Sequence, residues 1–146
     1  MTKESAIIVV TRSERAIQPD GVLALYRAQD WWPDRTAQQI AAVLAAAPAA
    51  GAWRGDELVG FARTVTDGLL RAYVEDVIVA PELRHTGIGH ALLDCLLQEL
   101  ALVPVVTLFC PAELVPFYVA AGFHTTSQVV MHRVRQPGRP VPADHS

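Results

Sequence analysis

Glu75 and Asp76 stand side by side in a β-branched run that passes through Pro81 into the glycine-punctuated turn of "VEDVIVAPELRHTGIGHALL" and then into an apolar helix. Carboxylates near a strand end can take a proton from a nucleophile, directly or through a water. Successive strand residues point to opposite faces, so one of the two faces a cleft unless a bulge intervenes. Gly87 and Gly89 permit torsions and close approaches that other residues resist. A helix opening there aims the N–H groups of His85, Thr86, Gly87, Ile88, Gly89 and His90 into one small volume, and its dipole favours an anion in it. Arg84 adds a cation at the entrance. The junction therefore predicts a phosphate site that fits a pyrophosphate, although glycines spaced this way also open helices for packing alone. The chain lacks a Walker lysine and the G-x-G-x-x-G spacing of dinucleotide folds.

The elements that must position these residues follow from periodicity. Ala6 to Thr11 reads as a first strand. Asp20 can cap a helix carrying Val22, Leu25 and Tyr26, and Thr36 with Gln39 forms a capping box ahead of Ile40, Val43 and Leu44. Two strand-like runs surround Gly55, Asp56 and Glu57 as a hairpin. "TDG" then turns into a long strand, Leu69 to Val79. The helix from Gly87 to Leu100 is apolar nearly all round, hence largely buried. "VPVVTLFC" is an inner strand. Pro111 and Pro116 open a short helix that Gly122 can end, and a last strand runs roughly from Ser127 to Val134. Three strands in succession predict a mostly antiparallel sheet, and the strand–helix–strand unit adds one parallel pair. The expectation is a mixed α/β domain over residues 1–135, with a Pro-rich flexible tail over 136–146.

Bulk properties exclude other classes. The chain has 146 residues, 51% hydrophobic and 18% charged, with net charge −3, which fits one globular domain. Its arginines are scattered, so no basic stripe would track nucleic acid. No run is long enough to span a membrane and no signal-peptide layout opens the chain, so a cytoplasmic location is expected. The preference for arginine over lysine and the many alanines point to a GC-rich bacterial genome. Cys95 and Cys110 read as small core hydrophobes and His85, His90, His124 and His132 as surface or packing residues, which leaves no metal site.

The stretch "VIVAPELRHTGIGHALL" resembles the acyl-CoA signature of the GNAT N-acetyltransferase superfamily, R/Q-x-x-G-x-G/A after a strand, with Arg84, Gly87 and Gly89 in its defining places. "LVPFYVAAGF" is similar to the family's "FYxxxGF", with Tyr118, Gly122 and Phe123 in place. The resemblance extends over about residues 5 to 134. It implies the GNAT fold, a central, mostly antiparallel twisted sheet with a splayed parallel pair. It implies that the backbone of Val77, Ile78 and Val79 holds the pantetheine arm of acetyl-CoA. Tyr118, otherwise a packed helix residue, becomes the acid that protonates the CoA sulfur, and Glu75 or Asp76 the base. Trp31 and Trp32 lie in the segment that walls the acceptor pocket in similar proteins. A homodimer is expected by the same resemblance. His85 and Thr86 depart from the usual glycine or asparagine followed by lysine, and Pro111 to Leu114 replace a loop that often carries a CoA-binding asparagine.

Amide formation from a thioester needs a neutral amine, a stabilised oxyanion and a proton for the departing thiolate. A backbone N–H near Val77 is a candidate oxyanion donor. The expected function is N-acetyl transfer to a primary amine of a small molecule by direct attack in a ternary complex. "EDV" also resembles glucosamine 6-phosphate N-acetyltransferases, which makes an amino sugar one acceptor to test. A non-catalytic acyl-CoA-binding sensor or interaction module is one competing reading. The other is acetylation of protein N-termini or lysines.

Overall fold

β-branched and aromatic runs build the sheet that carries the site. In the computed structural model, which describes residues 6–135, β1 spans Ile7–Thr11, β2 Ala49–Arg54, β3 Glu57–Thr66, β4 Arg71–Val79 and β5 Val105–Leu108. They lie in the order β1-β2-β3-β4-β5. The first three pairings are antiparallel and β4 with β5 is parallel, so the mixed sheet agrees with the expected fold class. The β2–β3 turn uses Gly55 at φ 61°, the left-handed torsion that a tight hairpin needs. Before β4, Asp67 Oδ1 accepts from the N–H groups of Leu69, Leu70 and Arg71, and these bonds hold its pKa below the usual value.

Helices cover both faces. α1, Pro19–Ala28, begins at Pro19 with Gln18 as its N-cap; Asp20 lies inside the first turn and does not cap it. Proline's fixed φ and missing N–H suit that first position, which moves the cap from Asp20 back to Gln18, two residues earlier than the acidic cap suggested. α2, Ala37–Ala46, has the expected capping box, with Gln39 N–H on Thr36 Oγ1 at 3.1 Å and Thr36 N–H on Gln39 Oε1 at 3.0 Å. α3, Ile88–Glu99, packs across β1 to β4. Burial of Leu92, Leu93 and Leu96 contributes about 2 kcal/mol each. A Cβ on Gly60 would meet Leu92 and Ile88 of α3, so Gly60 and its cross-strand partner Val79 face α3. Asp76, an odd number of residues away, faces α1. α4, Val115–Val119, is short and followed by Gly122 at φ 96°.

One expectation about the end of the chain meets a different outcome, and another lies outside the described residues. Residues 127–134 form no strand. Residues 124–126 and 128–131 line a cavity of about 960 Å³ together with β5 and α4. β propensity makes a strand only where a partner edge supplies backbone hydrogen bonds, and β5 pairs here with β4 alone among the described residues. The tail expected over 136–146, like residues 1–5, lies outside the described residues.

Candidate active site

The parallel pairing of β4 with β5 covers only Arg71–Val74 against Val105–Leu108, whereas β4 runs on to Val79. That difference opens the sheet. Ala80 donates its N–H to Val59 C=O at 2.8 Å, and antiparallel partners alternate between bonded and non-bonded pairs. Val77 and Val79 therefore turn their N–H and C=O groups away from β3 into the gap. A groove of about 900 Å³ occupies it, lined by Val77, Ile78 and Val79, the end of α1 with Gln29 and Trp31, the turn from Leu83 to His90, and Phe117 with Tyr118 of α4.

At one end of the groove lies the glycine turn. Gly87 is the N-cap of α3 at φ 91°, and nothing lies within 4 Å of a Cβ built on it. Its requirement is torsional. Gly89 differs: a Cβ there would come within 3.2 Å of Phe117 Cζ, so this glycine lets α4 approach α3. The helical ladder begins with Ala91 N–H on Gly87 C=O at 3.1 Å, which leaves the N–H groups of Ile88, Gly89 and His90 ahead of it. These donors, with Arg84 in the groove lining, match an anion. His85 is at φ 64°, the left-handed region that glycine and asparagine tolerate best. This accounts for the residues usual at that place in similar proteins. Thr86 is exposed and spends its hydroxyl proton on Leu83 C=O, and the side chain of Ile88 is buried in the core, so only their backbone can serve a ligand here. The His90 ring lies 4.2 Å from that of Phe117.

The two carboxylates are placed by a bulge. Arg63 pairs with Asp76 and Thr64 with Val74, which leaves Glu75 as an extra residue in β4. A bulge re-aims side chains, and here Glu75 and Asp76 reach the same two arginines. Arg35 lies 3.1 Å from Glu75 and 3.7 Å from Asp76, and Arg63 lies 3.6 Å and 3.2 Å from them. Asp76 is fully buried. It accepts from Tyr26 Oη at 2.6 Å, Trp32 Nε1 at 3.4 Å and Arg63 Nε at 3.2 Å, as a buried carboxylate requires. Burial alone would push the Glu75 pKa up, but a bond from Tyr73 and the charges of Arg35 and Arg63 hold it below the usual carboxylate value. Neither carboxylate is among the groove-lining residues.

Tyr118 lines both the groove and the second cavity and is almost fully buried. Burial first, and then Cys110, raises its pKa well above that of free tyrosine, so the phenol keeps its proton. Trp31 lines the groove and stacks on Tyr26 at 6.5 Å, while Trp32 carries the Arg35 guanidinium 3.9 Å above its ring. The structure thus gathers Val77 to Val79, Arg84, the glycine turn, Trp31 and Tyr118 around one groove. It leaves Glu75 and Asp76 outside that lining, bonded to Arg35 and Trp32 of the loop after α1. Sequence reasoning missed Gln29, Arg35 and Arg63. An arginine inside the apolar run "VGFARTV" was a readable signal, because a charge on an inner strand needs a buried partner. Nothing local marks Gln29 or Arg35.

A family model for the acetyltransferase (GNAT) domain matches residues 16–133. The chain belongs to the GNAT family. An uncharacterised N-acetyltransferase of Pyropia yezoensis, ycf52, is 36% identical over 69 residues, 46% of this chain and 40% of that protein. The chain thus matches about two fifths of the length of this curated relative. A crystal structure of an acetyltransferase from Deinococcus radiodurans superposes with a TM-score of 0.73 at 27% identity, covering 91% of this chain and 94% of that one. An aminoglycoside N-acetyltransferase solved in complex with CoA shares the GNAT fold at a TM-score of 0.68 and 18% identity, over 93% and 99% of the two chains. Among the described residues no helix is long and apolar enough to cross a membrane.

Proposed function

We propose that the chain is an acetyl-CoA-dependent N-acetyltransferase that transfers an acetyl group to a primary amine of a small molecule by direct attack in a ternary complex. The observation that carries this reading is the edge of β4 beyond Val74, which β5 does not cover. Val77 and Val79 offer backbone groups to a groove that runs from the α3 N-terminus to the protonated Tyr118. A thioester-linked pantetheine arm with a pyrophosphate at its far end fits that succession of edge, donors and cation. The CoA-bound neighbour of the same fold supports the same cosubstrate.

Acetyl-CoA would supply an acyl carbon activated by its thioester. Val77 N–H is aimed to stabilise the negative charge that grows on the acyl oxygen as the amine adds. The new N–C bond forms, the C–S bond breaks, and Tyr118 gives its proton to the departing thiolate. Glu75 receives the amine proton through a water; Asp76, wholly buried and saturated with donors, holds the loop instead. Trp31, on the groove wall, contacts the acceptor. A homodimer belongs to the same reading, supported by exposed Val105 of β5 and exposed Val129 and Met131 of the segment after α4.

Tyr118→Phe tests the chemistry. CoA binding by calorimetry is retained, and thiol release with an accepted amine falls by about 100-fold or more, the usual contribution of a positioned acid. Full turnover in that variant would remove Tyr118 from the mechanism. A wild-type protein that binds acetyl-CoA but consumes none across a broad amine panel would favour the non-catalytic acyl-CoA-binding module.

A further inference from the structure

Gln29 ends α1 as its C-cap residue, and its side chain spans the groove. Nε2 donates to Val79 C=O at 2.9 Å, and Oε1 accepts from Arg84 Nη2. Those two partners sit at the parts of the groove assigned above to the pantetheine arm and to the pyrophosphate. Gln29 also begins the loop that carries Asp30 at φ 58° and Trp32 at φ 47°, torsions uncommon for residues other than glycine. The far end of that loop is tied to β4 again, by Trp32 Nε1 and Arg35 on Asp76. The loop is therefore clamped to β4 at Val79 and at Asp76, on either side of Val77 and Ile78.

We propose that Gln29 is a latch between the cofactor groove and the acceptor wall, a positioning residue that holds the ligand-free loop by occupying two cofactor-binding groups at once. The proposal rests on the acetyl-CoA reading and deepens it. A ligand shifts such an equilibrium only by its differential affinity for the two states. A phosphate offers Arg84 a charge-assisted bond in place of a neutral amide, and the pantetheine amide offers Val79 C=O an equivalent donor. Binding therefore releases Gln29, and the loop bearing Trp31 is freed at the Asp30 end while Asp76 keeps its other end fixed. The latch makes cofactor binding weaker than the groove alone would allow.

Calorimetry with free CoA on wild type, Gln29→Ala and Gln29→Ser, each verified as folded by thermal melting, tests this. Both variants bind CoA about fivefold more tightly, the scale of the net contribution of one intramolecular hydrogen bond. Saturating CoA changes the tryptophan emission of wild type, whereas the variants show a shifted emission before CoA is added and a smaller change after. Unchanged or weaker CoA binding in both variants, with wild-type binding intact, would overturn the latch, and weaker binding would make Gln29 a direct cofactor contact. No CoA binding by wild type would overturn the cofactor reading and the latch with it.

Discussion

Neighbours in sequence, Glu75 and Asp76 have different surroundings and so different duties. Asp76 is saturated by Tyr26, Trp32 and Arg63 and has no exposure. Asp76→Asn leaves Arg63 and Arg35 short of a buried counter-charge and should cost about 3 kcal/mol or more in urea unfolding, whereas Tyr26→Phe should cost about 1 kcal/mol for its hydrogen bond. Equal small losses would mean that the network is not the anchor of the loop. Glu75 titrates below its ordinary value of 4.5 in the folded protein. Its contribution to stability is therefore complete above that value and is lost as pH falls through the lower folded pKa. Glu75→Gln should flatten the fall in melting temperature on the acid side of pH 4.5 and leave the curve at neutral pH parallel to wild type. If Glu75 receives the amine proton, its low pKa also places the acid limb of activity with the amine, so the limb should move with the acceptor's pKa.

At the scale of elements, three short irregularities build the site: the bulge at Glu75, the loss of β5 pairing after Val74, and the left-handed turn before α3. The turn is the easiest to perturb. His85 holds φ 64° against its steric preference, so His85→Gly should stabilise by about 1 kcal/mol, less whatever entropy glycine gains in the unfolded chain. The melting temperature should rise by about 2–4 °C. His85→Val should lower it, since β-branching is worst there. A His85→Gly protein that melts lower than wild type would mean that the imidazole makes a contact worth more than the torsional relief.

For the whole molecule, the edge of β5 that has no strand partner among the described residues, and the exposed apolar residues of the segment after α4, set the main prediction about assembly. Val129 and Met131 are each more than four-fifths exposed, an unusual state for an apolar strip next to an open strand. Light scattering should return twice the 15.8 kDa chain mass. Met131→Lys, which places a charge on the strip, should shift the sample toward monomer while the groove still binds CoA. A strictly monomeric wild type would show that this strip does not mediate association.

What the sequence determined was set by local chemistry. Hydrophobic period, the Thr36 capping box, the Gly55 hairpin and the proline-in, glycine-out helix around Tyr118 all depend on residues within a few positions of one another, and so could be read in order. The glycine turn was legible for the same reason, since a helix start and its torsions are local. Tertiary structure alone decided the rest. The bulge that puts Glu75 and Asp76 on one side arises from the register between two strands, and the arginines that neutralise them come from a loop and a strand far away in sequence. The open edge of β4 exists because β5 stops short, and the segment after His124 stays unpaired because its strand potential depends on an edge that the local sequence does not supply. Gln29 became part of the groove only when α1 packed beside Val79 and Arg84. Side chains in distant parts of the chain meet through packing, whose geometry no short window of residues encodes.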